Sequence, residues 1–461
     1  MRKLACTTPV SRFLLLALTA LVIVGWSGDD YQQGLSAYER KDYNQAFAVW
    51  LPLAEQGHVE AQFSVGYMYV TGQGVSQDRE IGVNWYRKAA ALGHAKAQFN
   101  LGLALLKGEG VSVDLGGAVK WLQKAVNQGY APAQHALGSL YAHGKGVPQD
   151  DTQASALYHK AAEQGHPDAQ YSLGLSYANG SGVKKDPKEA EKWLRQAAKQ
   201  SHLEAIYALG LMTQEANADA GTDAAVSRAS SIVNIRKAAE AGYSNAQYDL
   251  AKAYLSGQGV AENATEGAQW LRKAADQGLA AAQYDLGYLY EIGEGVTQDD
   301  REASVWYHKA ANQGLARAQY MLGFVYASGR GVDQDEAASF KWYLKAAQQG
   351  LTDAQYAVSY AYSNGVGVAP DQTEAIKWLQ KAAEQNHPES LFNLGNAYAN
   401  GDGVAKDQIQ AIKWYCKAAQ AGHEGGRQMV TGPSKGHIDC PLDELPKDKK
   451  NKIDRDSKES Q

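Results

Sequence analysis

Cysteine is scarce in this chain of 461 residues: only Cys6, Cys416 and Cys440 occur. That leaves no cysteine spacing to join the histidines as metal ligands. Also missing are a phosphate-binding loop, a zinc-helix motif and a Gly-x-Ser-x-Gly elbow, so no catalytic residue and no cofactor site is assigned. No basic stripe is present, which argues against nucleic acid or anionic lipid as a partner, since both require clustered Lys and Arg. The apolar segment Phe13–Val24 spans twelve residues. A membrane-spanning helix needs about 20.

Arg2, Lys3 and Arg12 precede that segment, and small residues Gly25 and Ser27 follow it. The pattern predicts a signal peptide over 1–27, cleaved after Ser27, with a retained anchor as the alternative. Cleavage removes three basic groups and no acidic ones, so the net charge of −5 becomes −8. No membrane insertion is expected of the mature chain, which we place in a bacterial periplasm or outside the cell. Export makes a Cys416–Cys440 disulfide the expectation, with two free thiols as the alternative.

What the chain has in abundance is repetition. Gly-x-Gly-Val recurs with its first glycine at Gly72, Gly108, Gly144 and Gly180, then at Gly257, Gly293, Gly329, Gly365 and Gly401. Each step within a run is 36 residues, as from Gly72 to Gly108. A fixed period of this length predicts one supersecondary unit copied end to end, hence a solenoid.

Within one unit, Ala169, Leu173 and Tyr177 share a face of a first helix, and Gly174 permits close approach of a neighbour. Gly180 and Gly182 supply the positive φ that ends the helix, and Val183 turns back as an apolar plug. Asp186, Pro187 and Glu189 then read as a capping box opening a second helix. Asp78, Asp114, Asp150, Asn263, Asp299, Asp335, Asp371 and Asp407 hold the same cap position, so these acids are structural. Trp193 and its counterparts at Trp85, Trp121, Trp270, Trp306, Trp342, Trp378 and Trp414 form a packing stripe. Lys88, Lys124, Lys160, Lys273, Lys309, Lys345, Lys381 and Lys417 oppose the second-helix dipole.

The run Ala169–Gln200, AQYSLGLSYANGSGVKKDPKEAEKWLRQAAKQ, resembles the Sel1-like repeat, a relative of the tetratricopeptide repeat. That resemblance implies an all-α fold, a right-handed α-α superhelix of helical hairpins. It divides the chain into the leader at 1–27, a tetratricopeptide-like capping hairpin at 28–60, a first block of repeats at 61–213, a degenerate repeat at 214–245, a second block at 246–423, and a cap with a disordered tail at 424–461. The spacing from Gly180 to Gly257 exceeds two periods by five, which predicts an inserted mobile connection near 214–228.

The tetratricopeptide relationship further implies that the first helices line a groove for extended peptides. Carried over by position, that groove is faced by Phe63, Phe99, His135, Tyr171, Tyr207, Tyr248, Tyr284, Tyr320, Tyr356 and Phe392, and four residues on by Tyr67, Leu103, Tyr288, Phe324 and Tyr360. Most of these rings are expected to fill gaps between helices. The richest patch, Tyr284, Tyr288, Tyr320, Phe324, Tyr356 and Tyr360, is the candidate protein-binding site, with Asn100, Asp249, Asp285 and Asn393 as candidate bonds to a peptide backbone.

His58, His94, His166, His202, His387 and His423 fall after the second helices, where Leu or Tyr stands in other repeats, so they are read as packing residues. His135, His143 and His159 share one repeat without a carboxylate, and no metal site is assigned. The function expected is a non-enzymatic scaffold of the cell envelope binding a partner protein or peptide. The alternative is β-lactam binding or hydrolysis, as in the disulfide-rich branch of the resembled family, whose paired cysteines the repeats here lack.

Overall fold

A computed structural model of the chain describes residues 29–219, 224–431 and 440. The leader expected at 1–27 lies outside the described residues, as does the tail apart from Cys440. Among the described residues are 23 helices and no strand. The chain divides into two compact units, up to Leu209 and from Gly210 onward.

The first unit holds α1 (Asp29–Glu39), α2 (Tyr43–Glu55), α3 (Val59–Thr71), α4 (Arg79–Ala91), α5 (Ala95–Lys107), α6 (Leu115–Asn127), α7 (Ala131–His143), α8 (Asp151–Glu163), α9 (Pro167–Asn179) and α10 (Pro187–Lys199). The division falls within α11 (Leu203–Asp219). The second unit holds α12 (Ala224–Glu240), α13 (Ser244–Ser256), α14 (Ala264–Asp276), α15 (Ala280–Ile292), α16 (Asp300–Asn312), α17 (Ala316–Ser328), α18 (Glu336–Gln348), α19 (Thr352–Asn364), α20 (Gln372–Glu384), α21 (Pro388–Asn400), α22 (Gln408–Gln420) and α23 (Glu424–Thr431). Within each unit consecutive helices pair as hairpins, and each hairpin packs on the next.

The α9–α10 hairpin shows why. Leu173 of α9 and Leu194 of α10 are fully buried. A Cβ on Gly174 would lie 2.7 Å from Leu194 Cγ, so only glycine lets the two helices close to this distance. Gly180 ends α9 at φ +77°, and Gly182 at φ +70° serves a second purpose. Its missing Cβ would stand 1.9 Å from the Asp151 carbonyl oxygen, so the loop lies directly on the start of α8 in the preceding repeat.

Asp186 caps α10 by accepting from the amides of Lys188 at 3.0 Å and Glu189 at 3.2 Å. The reciprocal half of the capping box does not form. The Asp186 amide donates to the Tyr177 carbonyl instead, and the Glu189 carboxylate pairs with Lys192. Every other Asp or Asn at the equivalent position also accepts from a first-turn amide. Of the predicted stripe, Trp193, Trp270, Trp306 and Trp378 are buried, and Trp85, Trp121, Trp342 and Trp414 are half-buried. Each lysine three residues beyond a tryptophan does more than oppose a dipole, because its ammonium sits over the ring, as Lys309 does at 3.5 Å from the Trp306 centroid.

A ladder of glutamines joins the repeats. Gln170 of α9 is buried and accepts from Gln200, the residue just past α10, while the two donate to the Ala162 and Gly165 carbonyls of the preceding repeat. The same pairing recurs as Gln128–Gln98, Gln164–Gln134, Gln277–Gln247, Gln313–Gln283, Gln349–Gln319 and Gln385–Gln355.

The connection expected near 214–228 takes another form. The backbone is helical through Asp219 and again from Ala224, and α11 and α12 each run 17 residues where the regular helices run 13. The additional residues lengthen two helices, leaving 220–223 between them.

Candidate functional site

The six aromatic residues of the candidate patch sit on α15, α17 and α19, one pair per repeat, and they separate into two rows. Tyr284, Tyr320 and Tyr356 are half-buried. The Tyr284 ring lies 5.7 Å from Tyr307, that of Tyr320 5.4 Å from Tyr343, and that of Tyr356 5.1 Å from His387. Burial raises the pKa of all three phenols. These rings wedge between repeats and belong to the packing.

Four residues on, Tyr288, Phe324 and Tyr360 are 48%, 39% and 56% exposed. They form a row of large apolar side chains at one-repeat spacing. In the first unit Tyr67 holds the same place and is exposed, whereas Leu103 is half-buried.

The rest of the expected inner row behaves like Tyr284. Phe63 stacks on His94 at 4.7 Å, Tyr171 on His202 at 4.9 Å and Phe392 on His423 at 4.4 Å, while Phe99 meets Tyr130 edge-on. Tyr207 is half-buried. Three of the four polar residues expected to face a peptide backbone are engaged within the fold. Asp285 accepts from the Tyr248 hydroxyl at 2.7 Å, Asn393 donates to Tyr356, and Asn100 bonds Tyr86. The fourth, Asp249, acts on the Tyr248 phenol electrostatically. Burial raises the pKa of Tyr248 and of Asp285 alike.

A cleft beside the exposed row differs between repeats. Next to Phe324 it shrinks to about 10 Å³, because Arg330 pairs with Glu291 at 3.0 Å and with Asp300 at 2.9 Å, and the Tyr307 hydroxyl donates to Glu291. Two repeats further on, Ser363 stands for Glu291, Leu379 for Tyr307, Asn396 for Phe324 and Asp402 for Arg330. There the cleft opens to about 190 Å³, with Tyr356, Tyr360, Asn393 and Asn396 on its walls. Loss of one arginine and two rings empties the space, and amides replace the ion pairs. Beside Tyr67 in the first unit an equivalent cleft of about 200 Å³ is lined by Tyr86, Asn100 and Leu103.

The recurring histidines do more than pack. His58, His94, His166, His202, His387 and His423 each accept a backbone N–H on Nδ1 from the residue three further on, at 3.1–3.3 Å, and so cap the first helices. Nε2 is thereby left as the proton-bearing nitrogen in the neutral ring. It reaches an acid of the preceding repeat in His202–Asp168 at 3.1 Å, His387–Asp353 at 3.7 Å and His423–Glu389 at 2.9 Å. The signal was present in the sequence as an acid standing two positions short of one full period before the histidine.

The three histidines of one repeat do not converge. His143 bonds the Ser139 carbonyl, and His159 lies against Glu163 and Trp193. His135 stacks on His166 of the next repeat. No helix among the described residues is long and apolar enough to cross a membrane.

Nine stretches, four running from 59–94 through 95–130 and 131–166 to 167–202 and five from 244–279 through 280–315, 316–351 and 352–387 to 388–423, match the family model described as Sel1 repeat. A protective antigen present in uropathogenic Escherichia coli strains, displaying an SLR fold, is 32% identical over 92% of this chain and 89% of that chain, with a TM-score of 0.55. A Sel1 repeat protein from Oxalobacter formigenes is 29% identical over 79% of this chain and 92% of that chain, with a TM-score of 0.39. Chitin synthase regulator SKT5 of Saccharomyces cerevisiae is 40% identical over 60 residues, which span 13% of this chain and 9% of that protein.

Proposed function

The chain belongs to the Sel1 repeat family, and from that premise we propose that it is a non-enzymatic scaffold that holds a partner protein or peptide along the first-helix face of its second unit. Solenoids of Sel1 repeats generally serve protein interaction, because stacking hairpins exposes a long surface and encloses no reaction pocket. The observation that carries the reading is the row Tyr288, Phe324 and Tyr360. On helices whose neighbouring aromatics are wedged into the packing, these three stay exposed at regular spacing. Aromatic rings give much contact area for little rotamer entropy. The open cleft beside Tyr360 gives a partner side chain a polar recess at one end of the row.

We place this action in a bacterial periplasm or outside the cell. Support comes from the basic and apolar residues at 1–27 and from the disulfide between Cys416 and Cys440. In the same reading 28–60 is the amino-terminal cap and 424–461 the carboxy-terminal cap and tail.

The test is a triple substitution, Tyr288→Ala, Phe324→Ala and Tyr360→Ala, in a pull-down against a partner identified by crosslinking in cells. Capture is lost while helical circular dichroism persists. Tyr284→Ala, by contrast, lowers the melting temperature, because that ring is packed. Undiminished capture by the triple variant contradicts the proposal.

A further inference from the structure

The repeat array departs from its own pattern at two positions of one repeat. At the inner-row position the other repeats carry Phe or Tyr, as at Phe63, Phe99 and Tyr171, but here it is His135. Two positions short of one period before a cap histidine, Glu60, Asp168, Asp353 and Glu389 precede His94, His202, His387 and His423, whereas Pro132 precedes His166. His166 therefore has no carboxylate in the preceding repeat, and its neighbour there is another imidazole. The two rings stack with centroids 5.4 Å apart and planes inclined by 25°.

Asp168, at the start of α9, completes the group. One nitrogen of His135, one of His166 and one carboxylate oxygen of Asp168 all lie within 4.8 Å of one another. We infer that His135, His166 and Asp168 form a three-ligand site for a divalent transition-metal ion of the zinc type, with the fourth position taken by water. Two imidazoles and one carboxylate are a donor set that zinc accepts, at about 2.0–2.2 Å from each ligand atom. Magnesium and calcium, which demand oxygen ligands, do not suit it.

The surroundings favour the assignment. The Ser172 hydroxyl donates to the Asp168 carbonyl at 2.8 Å and so meets His135 Nε2 as an acceptor, which places the proton of the free ring on Nε2 and the lone pair on Nδ1. His166 caps Ala169 at 3.3 Å, and that cap is expendable, since Tyr130, Tyr243, Leu279, Leu315 and Leu351 hold the same position with no side-chain cap bond. His202 Nε2 bonds Oδ1 of Asp168 at 3.1 Å, as outer hydrogen bonds do to carboxylates around metal ions. The side chain of Asp168 is exposed, so an ion can enter from solvent.

The experiment uses the full mature chain without a histidine tag, stripped with EDTA, dialysed and titrated with zinc chloride, or with magnesium chloride in a parallel arm, by isothermal calorimetry. One zinc ion binds per chain, and magnesium does not bind. His135→Phe restores the residue that the array itself uses at Phe99, so it keeps the stack, yet weakens zinc binding by more than about 100-fold, beyond the loss typical of an outer-contact substitution. Asp168→Asn, which keeps size and shape, also weakens binding by at least about tenfold. Circular dichroism of both metal-free variants matches the parent. Absence of zinc binding by the parent chain, or equal binding by folded His135→Phe, overturns the assignment.

Discussion

Gln200 donates from Nε2 to Oε1 of Gln170 at 2.9 Å and, with the same group, to the Gly165 carbonyl at 2.9 Å. Gln170 passes the chain of bonds on to the Ala162 carbonyl at 3.2 Å. Two side-chain amides thus fasten one second helix to the hairpin before it. Replacing buried Gln170 by leucine keeps the volume and leaves partners unpaired, which costs about 1–3 kcal/mol. A urea denaturation midpoint of Gln170→Leu below that of the parent checks this.

Burial holds the His94 imidazole below its ordinary pKa of 6.5. The unfolded chain therefore takes up the proton first. Stability from neutral His94 is fully present above the ordinary pKa and is lost as pH falls toward the lowered folded-state value. His94→Leu, which uses the residue found at Leu279, loses less stability than the parent between pH about 7 and about 5. Thermal melts of both chains at the two pH values read the difference.

Lys309 stands over the Trp306 ring, which is 3% exposed. Lys309→Met keeps the stem and removes the cation, costing about 0.5–1 kcal/mol. Trp306→Ala empties the ring site and costs about 3–5 kcal/mol. Chemical denaturation of the two variants gives that order.

The disulfide joins Cys416 of α22 to Cys440 across a sequence separation of 24. Closing a loop of that length contributes on the order of 3 kcal/mol in the chain-entropy model. Dithiothreitol lowers the melting temperature of the parent chain, and the Cys416→Ala, Cys440→Ala chain melts at the reduced value whether or not reductant is present.

Much of this was legible from one period. The Gly-x-Gly-Val phase, the Asp186-type caps and the tryptophan stripe depend on residues within one hairpin, so a single repeat exhibits them. The Gln200–Gly165 bond, the His202–Asp168 contact and the His135–His166 stack join residues of successive repeats nearly one period apart, where only the stacking register decides which groups meet. The same register divided the predicted patch: Tyr284 and Tyr288 share a helix face, and the packing of α16 and α17 buries one and leaves the other exposed. Residues 214–219 and 224–228 read as a polar connection by composition, yet alanine-rich sequence extends a helix at little cost, and the backbone there is helical.

The central claim, that the exposed aromatic row receives a partner, is tested most directly by site-specific photo-crosslinking. A photoreactive side chain is placed in turn at Tyr288, Phe324 and Tyr360, and at the packed positions Tyr284 and Tyr320, in cells that express the chain. The account predicts one common crosslinked protein from the three exposed positions and none from the two packed ones. No crosslinked protein from the exposed row, or equal yield from both rows, contradicts it.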